Sequence, residues 1–293
     1  MTFQGTPVFQ PGNIAEILHA TARDTVLCTI NRQGVATLTL NRPEKYNAFD
    51  DHFIAALRHY LKQLARHPDV RVLLLNATGK HFSAGADLNW MISMASKSRH
   101  ENLNDAQALA LLMHELDTFP HPTIVSVQGS AYGGALGLIC CSDIALGTEN
   151  TRFCLSEVKL GLIPATIGPY VCRTLGQRQA RRLMLTAEAF DAQRAQELGI
   201  LHEVCSEAQL EARLQQTINA LLANSPQAMS QVKLLCRHCE TSPIDDELIQ
   251  LTSEMIADIR VSEQGQEGLS AFFDKRRPNW IQENHSMQGE HDE

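Results

Sequence analysis

The chain has few aromatic residues, no excess of positive charge and no long apolar run. Aromatic residues make up 5% of its 293 residues, and no segment reaches the roughly 18 to 20 continuous apolar residues of a membrane-spanning helix. Lysine and arginine number 25 against 33 aspartate and glutamate residues, which leaves a formal net charge of -8. Because nucleic-acid and membrane-surface binders usually present a basic face, we expect neither partner and instead expect a small-molecule ligand.

The cysteines follow no pattern typical of a disulfide framework or a zinc site. There are eight, mostly inside apolar segments, and the first residues lack a basic start followed by an apolar core. These features predict reduced thiols and a cytoplasmic protein. Cys236 and Cys239 have CxxC spacing, and without a second pair at zinc spacing we expect them to face the core from a helix rather than bind a metal.

What is present is typical of a globular protein with a full core, since 44% of the residues are apolar and 20% are charged. β-branched or continuous apolar runs predict strands, and apolar residues at helical spacing predict helices between them. The predicted strands are 25–30, 35–40, 71–76 and 123–127, and the predicted helices are 53–64, capped by Asp50 or Asp51, and 106–116. Strands that alternate with helices predict an α/β core with crossover connections.

After residue 164 the pattern becomes almost entirely helical. Segments with helical periodicity follow one another at 177–185, 191–198, 207–223, 225–236, 244–259 and 262–273. We therefore divide the chain into a loose N-terminal arm (1–23), an α/β core (24–200), a helical region (201–282) and a polar tail (283–293).

Two glycine turns, each between an apolar strand and a helix start, are the candidate functional elements. One carries Gly133 and Gly134, and the other carries Gly85 ahead of Ala86. Glycine lets another group approach the backbone closely, and the first amides of a helix have no partner inside it. Glu157 follows in an otherwise apolar stretch, where burial would raise its pKa toward the operating pH. Two amide donors and one carboxylate are sufficient to form and protonate an enolate.

These residues also have structural interpretations. The adjacent glycines could serve close helix packing, and Glu157 could be a charge placed at a helix N-terminus. Three other polar residues are expected to be structural: Asp143, His81 and His114. An arginine cluster is expected to form a solvated or intersubunit face, although one member could reach a carboxylate on the ligand: Arg178, Arg181 and Arg182.

Four motifs together resemble the crotonase, or enoyl-CoA hydratase/isomerase, superfamily. They are HFSAGADL (81–88), AYGGALGL (131–138), SEVKLGLIP (156–164) and EGLSAFFDKRRP (267–278), in family order, and the resemblance spans roughly residues 25–280. It implies a spiral of ββα units followed by a helical trimerisation region, assembled as a homotrimer or a dimer of trimers. It also implies an acyl-CoA substrate and no separate cofactor, because coenzyme A is part of that substrate.

The resemblance assigns roles to individual positions. Backbone amides of Ala86 and Gly134 correspond to the two donors that bind the thioester oxygen. Family hydratases hold a water with two glutamates; the second corresponds to Glu157, whereas the first corresponds to Gly137. Further positions correspond to family regions that contact coenzyme A or the acyl group: Lys45, Tyr46, Ala84, Asp87, Leu88, Gly133, Gly137, Phe272 and Lys275.

The glycine at position 137 has two interpretations. It could mark the loss of hydratase activity, or its vacated volume could admit a bulkier or branched acyl chain. We favour the second interpretation. The sequence segments GGALGLICC, SEVKLGLIPATIGPYV and DLNWM resemble the corresponding segments of bacterial methylglutaconyl-CoA hydratases of leucine degradation. Close relatives of that subgroup act on isohexenylglutaconyl-CoA. Both substrates carry a carboxylate, so a cation or polar group is expected at the acyl end.

The sequence is also compatible with two functions other than hydration. A single carboxylate beside an oxyanion hole also suits an enoyl-CoA isomerase, which needs no held water. A noncatalytic or RNA-associated acyl-CoA binder is the alternative outside enzymes. The acidic net charge argues against RNA, and Glu157 argues against an inactive protein.

Overall fold

The computed structural model describes the backbone of residues 14–19 and the whole of residues 24–281. The strands are β1 (Ile14–His19), β2 (Val26–Asn31), β3 (Val35–Leu40), β4 (Val72–Ala77), β5 (Thr123–Val127), β6 (Ser130–Tyr132), β7 (Ile144–Thr148), β8 (Arg152–Cys154), β9 (Phe190–Asp191) and β10 (Glu203–Cys205). The helices are α1 (Asp51–Leu64), α2 (Leu88–Ser96), α3 (Arg99–Asp117), α4 (Gly134–Cys140), α5 (Gly168–Thr186), α6 (Ala192–Glu197), α7 (Glu207–Leu222), α8 (Pro226–Thr241), α9 (Asp246–Val261) and α10 (Glu263–Phe273). Short 3-10 helices lie at Pro43–Lys45 and Glu157–Leu160.

The described strands form a seven-stranded sheet in the order β1-β2-β3-β4-β5-β7-β10 and a three-stranded sheet in the order β6-β8-β9. β1, β2 and β3 pair antiparallel, whereas β3, β4, β5, β7 and β10 pair parallel. Every residue of β3, β4 and β5 is buried, as expected for parallel strands covered on both faces. The predicted α/β core with crossover connections is confirmed.

Local side-chain contacts explain where the first elements begin. The Asn31 side chain accepts hydrogen bonds from the amides of Gln33 and Val35, which closes the predicted hairpin between β2 and β3. The Asp50 carboxylate accepts a hydrogen bond of 2.8 Å from the Phe53 amide and so caps α1. Of the two predicted caps, Asp50 is therefore the one used.

Some strands were not predicted from the sequence. Residues 14–19 of the predicted loose arm form β1, which pairs antiparallel with β2. The other residues of that arm that lie before residue 24, and the predicted tail over 283–293, are outside the described residues. β10 was missed inside the segment interpreted as helical, because its three residues are too short to show an alternating pattern.

The chain divides into two compact units, one ending at Ile218 and the other beginning at Asn219. The division near residue 200 that the sequence predicted stays a prediction, and β10, which follows that position, pairs with β7 of the first unit. The second unit contains α8, α9 and α10, as its helical periodicity predicted. Within it, the Trp280 indole N–H donates a hydrogen bond of 3.1 Å to the Ala223 carbonyl.

The cysteines are free, and five of them are buried: Cys28, Cys140, Cys141, Cys154 and Cys205. Burial raises the pKa of the Cys140 thiol to about 11, so this thiol stays protonated at neutral pH. Cys236 and Cys239 are exposed on α8, so the expectation that they face a core is wrong.

Among the described residues, no group of three or more His, Cys, Asp or Glu side chains is arranged to hold a metal ion. Nor is any described helix both long and apolar enough to cross a membrane.

Candidate active site

The two predicted glycine turns lie against each other. Gly85 has φ of 91°, and a Cβ atom at this position would lie 3.0 Å from the Tyr132 carbonyl oxygen. Just before the two turns, the Ser83 amide donates a hydrogen bond to the Ser130 carbonyl, and the Tyr132 amide donates one to the Ser83 carbonyl. Both bonds are 3.0 Å long. These contacts bring together the segments that carry Ala86 and Gly134, which are far apart in the sequence.

Phe49 fixes the backbone on both sides of Ala86. Its amide donates a hydrogen bond of 2.7 Å to the Gly85 carbonyl, and its carbonyl accepts one of 2.8 Å from the Asp87 amide. Ala86 is exposed, and its own amide donates no hydrogen bond within residues 24–281. This amide is therefore unpaired among the described residues, and its assignment as a donor to the thioester oxygen stays a prediction.

Gly134 is the first residue of α4, where an amide has no partner inside its own helix. In the part of the chain that the structure describes, this amide donates no hydrogen bond elsewhere either. A Cβ atom at Gly134 would lie 3.0 Å from the Phe49 ring, so a larger residue here would require the ring to shift by a few tenths of an ångström. Phe49 thus contacts both turns, through its backbone and through its ring.

The Glu157 carboxylate lies beside the second turn. Its Oε1 atom would be 3.1 Å from a Cβ atom on Gly133, which has φ of 53°. Its Oε2 atom is buried and has no hydrogen-bond partner among the described residues. Burial raises the pKa of this carboxyl above its ordinary value of 4.5, and a hydrogen bond from its own amide opposes the shift. Glu157 is also the acidic residue in the first turn of a 3-10 helix, as the structural interpretation expected, and its role in catalysis stays a prediction.

The raised pKa of Glu157 makes a prediction about stability. A raised pKa means that the folded state binds the proton more tightly, so the stabilisation is present below pH 4.5 and is lost as the pH rises through the folded pKa. Relative to Glu157→Gln, the wild type should therefore gain unfolding free energy as the pH falls from neutrality toward 4.5. Denaturant unfolding of both proteins over this pH range tests it, and a difference independent of pH would contradict it.

The volume beside Gly137 is filled by the protein itself. A Cβ atom at this position would lie 2.3 Å from Ile167 Cγ2 and 2.8 Å from Met113 Sδ. Both side chains are fully buried, with exposed fractions of 1% or less. The interpretation that Gly137 leaves room for a bulkier acyl chain is therefore wrong, whereas its assignment as a substrate-binding position stays a prediction. The apolar side chains of Ile167 and Met113 occupy the space that a glutamate side chain at position 137 would need.

Gly137→Ala should consequently destabilise the fold. Adding a methyl group to this packed contact should lower the unfolding free energy by about 1 to 3 kcal/mol, because Ile167 and Met113 must move. Urea unfolding measures the change, with Gly168→Ala as the control, since a Cβ there meets nothing within 4 Å. Equal unfolding free energies of the two variants would show that Ile167 can move away from the added methyl group without loss of stability, which would contradict the prediction.

The predicted coenzyme A-binding residues of the first unit cluster around the Ala86 turn. Lys45 Nζ lies 3.2 Å from Asp87 Oδ2. Burial alone would raise the pKa of Asp87, but hydrogen bonds from Lys45 and from the amides of Trp90 and Asn89 hold it below its ordinary value. The Asp87 carboxylate therefore caps α2 and pairs with Lys45 instead of standing free for a ligand.

Three other members of this set are exposed, namely Tyr46, Ala84 and Leu88, whereas Gly133 and Gly137 are buried. Tyr46 is in the left-handed conformation with its ring edge-on to His81, and the Ala84 amide donates to its carbonyl. Leu88 is 76% exposed at the start of α2. Phe272 and Lys275 lie in the second unit, and their contact with coenzyme A stays a prediction.

Two of the three residues expected to be structural, Asp143 and His81, have structural side-chain contacts, whereas the third, His114, is exposed on α3. Asp143 accepts hydrogen bonds from the Thr123 amide and hydroxyl, at 2.7 and 2.9 Å, next to the start of β5. His81 Nδ1 accepts from the Ser130 amide at 3.0 Å, and burial, aided by Lys80, lowers the pKa of its imidazole. The arginine cluster is exposed, with Arg182 paired to Glu188.

A cavity of about 70 Å³ lies among α1, α2 and α3. Its lining includes Trp90, whose indole nitrogen is buried without a hydrogen-bond partner in the described chain. The one cation among the lining residues, Arg58, is held by Glu115 through hydrogen bonds of 2.8 to 3.2 Å. The cavity therefore does not supply the uncommitted cation expected at the acyl end.

Sequence reasoning missed the residues that hold the two turns together. Phe49, Arg42 and Asn47 lie in a loop that reads as irregular, yet all three are buried. Asn47 accepts from the Arg42 amide and donates to the carbonyls of Thr78 and His81. The available signal was a large apolar residue, Phe49, directly before a helix cap.

Comparisons with known proteins agree with this architecture. Residues 31–283 match the family model described as "Enoyl-CoA hydratase/isomerase". The chain is similar to the solved structure of an enoyl-CoA hydratase from Shewanella pealeana, with 56% identity and a TM-score of 0.85 over 88% of this chain and 96% of that one. It is similar to a protein from Legionella pneumophila described as an enoyl-CoA hydratase/isomerase (crotonase), with 44% identity and a TM-score of 0.83 over 88% and 99%. The 2,3-dehydroadipyl-CoA hydratase of Escherichia coli is 32% identical over 87% of this chain and 98% of that protein. The predicted crotonase-like fold, with its helical C-terminal region, is confirmed.

Proposed function

The chain belongs to the enoyl-CoA hydratase/isomerase family, and we propose that it adds water across the α,β double bond of a branched glutaconyl-type CoA thioester. 3-Methylglutaconyl-CoA, of leucine degradation, is the substrate that we propose first, and isohexenylglutaconyl-CoA is the next. The proposed site consists of the amides of Ala86 and Gly134 and the carboxylate of Glu157.

The observation that carries the proposal is the Glu157 carboxylate. It lies against the Gly133 turn with one oxygen unpartnered in the described chain, and burial raises its pKa. A carboxyl whose pKa is raised is better suited to act as both general base and general acid than one that ionises at its ordinary value. Because Ile167 and Met113 fill the space beside Gly137, the proposal assigns both proton transfers to this one group.

The reaction divides into two steps at this carboxylate. Glu157 accepts a proton from water as the water oxygen bonds to the β-carbon, and the electrons of the double bond move onto the thioester oxygen. The two backbone amides stabilise that oxyanion, and loss of one comparable donor costs about 3 to 4 kcal/mol of barrier. Glu157 then returns its proton to the α-carbon, so the product contains one added water and the enzyme is unchanged.

The proposed substrate class is supported by the sequence of three motifs and by the named substrate of one relative. The motifs around positions 87, 134 and 157 are similar to those of methylglutaconyl-CoA hydratases. The named substrate of the Escherichia coli relative, 2,3-dehydroadipyl-CoA, is likewise the thioester of a dicarboxylic acid. An acyl group with a terminal carboxylate is therefore the class that we propose.

An isomerase is the second candidate, and the packing at Gly137 favours it. Ile167 and Met113 occupy the place of the second carboxylate, and moving a double bond requires one base and the oxyanion donors but no held water. The same site would then transfer a proton between two carbons of the acyl chain. Water incorporation into the product distinguishes the two reactions.

The substrate test compares 3-methylglutaconyl-CoA with crotonyl-CoA, which lacks the carboxylate and the branch. Loss of the conjugated enoyl thioester absorbance follows hydration, and the wild type should prefer the carboxylated substrate. Activity on crotonyl-CoA alone would overturn the substrate class. Silence toward both esters would overturn the hydratase assignment and favour a noncatalytic acyl-CoA binder, because an isomerase that moves the double bond out of conjugation would also lower this absorbance.

We also propose a homotrimer or a dimer of trimers in the cytoplasm, with Phe272 and Lys275 reaching coenzyme A of a neighbouring subunit. The support is the family resemblance of the segment 267–278 and the 78% exposure of Phe272 in the single chain. Mass measurement in solution tests the assembly, and a monomer would contradict it.

A further inference from the structure

Arg42 is a buried cation that no part of the proposed chemistry uses. The residue is 7% exposed. Its Nη1 atom lies 2.7 Å from Asp50 Oδ2 and donates to the Ala48 carbonyl at 2.9 Å, while Nη2 lies 3.5 Å from Asp87 Oδ2. A planar guanidinium with several donors is suited to joining acceptors that lie on different segments.

Both carboxylates that Arg42 contacts are helix caps. Asp50 uses its other oxygen, Oδ1, to accept from the Phe53 amide at the start of α1. Asp87 uses Oδ1 to accept from the Asn89 amide at the start of α2. Arg42 therefore links the first turns of two helices, together with the chain segments that lead into them.

Phe49 lies between these two caps and contacts both donor positions. Its backbone is hydrogen-bonded on either side of Ala86, and its ring lies against Gly134. A shift of the segment 48–50 relative to 85–87 would consequently move the Ala86 amide and disturb the contact at Gly134. Arg42 is bonded to both segments, at Ala48 and Asp50 on one and at Asp87 on the other.

We infer that Arg42 is a positioning residue for the oxyanion hole. It sets the spacing of the Ala86 and Gly134 amides through Asp50, Asp87 and Phe49, and it does not touch the substrate. The inference rests on the proposed function only in assigning the thioester oxygen to these two amides. Because a displacement of about 1 Å can cost roughly 10²-fold in catalysis, loss of the link should be measurable.

The test uses acetoacetyl-CoA, a β-keto thioester whose enolate is a conjugated chromophore. Titration of the bound probe by absorbance gives the ratio of enolate to keto form, which reports the oxyanion donors independently of turnover. Arg42→Met should shift this ratio toward the keto form by about 10-fold or more, since poorly placed donors stabilise the enolate less. Arg42→Lys keeps the charge but replaces two separate, coplanar donor nitrogens with one ammonium on a shorter reach, so it should shift the ratio in the same direction.

Two further variants make the result specific. Asp50→Asn keeps a cap oxygen but removes the acceptor of Arg42, so it should repeat the shift. Arg58→Met is the matched control, because Arg58 pairs with Glu115 between α1 and α3 and not with the segments 48–50 or 85–87. Its enolate ratio should equal that of the wild type.

Each result of the enolate measurement either supports or overturns the positioning role of Arg42. A wild-type ratio in Arg42→Lys would show that charge alone acts, and an unchanged ratio in all three site variants would show that Arg42 has no such role; either overturns the inference. If Arg42→Met does not fold, Arg42→Lys and Asp50→Asn decide in the same way. A wild type that binds the probe without forming enolate would overturn the donor assignment of the proposed function, and this inference with it.

Discussion

Glu157→Gln should lower kcat by about 10² to 10⁴-fold, the contribution typical of a positioned general acid and base. Glutamine has nearly the same shape as glutamate but cannot accept a proton from water or return one to the α-carbon. Binding of the CoA ester should change little, because the amides of Ala86 and Gly134 are untouched. Steady-state kinetics on 3-methylglutaconyl-CoA measure the loss, together with calorimetric affinity for the product ester.

The control is Glu197→Gln, which removes an exposed carboxylate that pairs with Arg194 on α6. This variant should retain wild-type kcat. A Glu157→Gln enzyme that stays within about twofold of wild type would contradict the assignment of both proton transfers to Glu157, because such a factor is far below that of general acid–base catalysis.

Gly133→Ala should also cause a large loss of activity, for a different reason. The added Cβ would lie 3.1 Å from Glu157 Oε1, so the carboxylate or the turn must shift. The backbone at Gly133, with φ of 53° and ψ of -122°, is also outside the regions that alanine adopts readily. We expect a loss of about 10²-fold in kcat from displaced groups and about 1 to 3 kcal/mol of unfolding free energy from strain.

Gly199→Ala separates the two effects. Gly199 also has a positive φ, of 79°, but the nearest atom to its added Cβ is the Thr174 carbonyl oxygen at 4.0 Å. This variant should lose stability and keep its kcat. If both variants lose stability and neither loses kcat, the contact between Gly133 and Glu157 has no catalytic importance.

Much of the fold followed from local signals in the sequence. The hairpin between β2 and β3, the buried strand β4 and helix α1 each have a clear apolar period with turn or cap residues at the ends, and all three were confirmed. Strands β1 and β10 were missed. β10 has three residues and pairs with β7, which is distant in the chain, so it shows no period of its own. β1 pairs with the next strand, β2, but its sequence IAEILH does not alternate strictly between apolar and polar residues.

The site was predictable to the extent that it depends on glycine turns and one carboxylate in an apolar segment. Positions 85, 133 and 157 were all chosen from the sequence, and the structure brings them together. The space at Gly137 was not predictable, because Ile167, which fills it, is distant in the chain and shows no special pattern. The role of Arg42 was hidden for the same reason: its acceptors Asp50 and Asp87 lie on separate segments.

The central claim is that one carboxylate, Glu157, adds water to an enoyl thioester held by the Ala86 and Gly134 amides. The most direct measurement is turnover of 3-methylglutaconyl-CoA in water enriched in heavy oxygen, with mass analysis of the acyl product. We predict one heavy oxygen per product molecule for the wild type and almost no labelled product for Glu157→Gln. Conversion of the substrate to an unlabelled isomer, or equal labelling by the two enzymes, would contradict the claim.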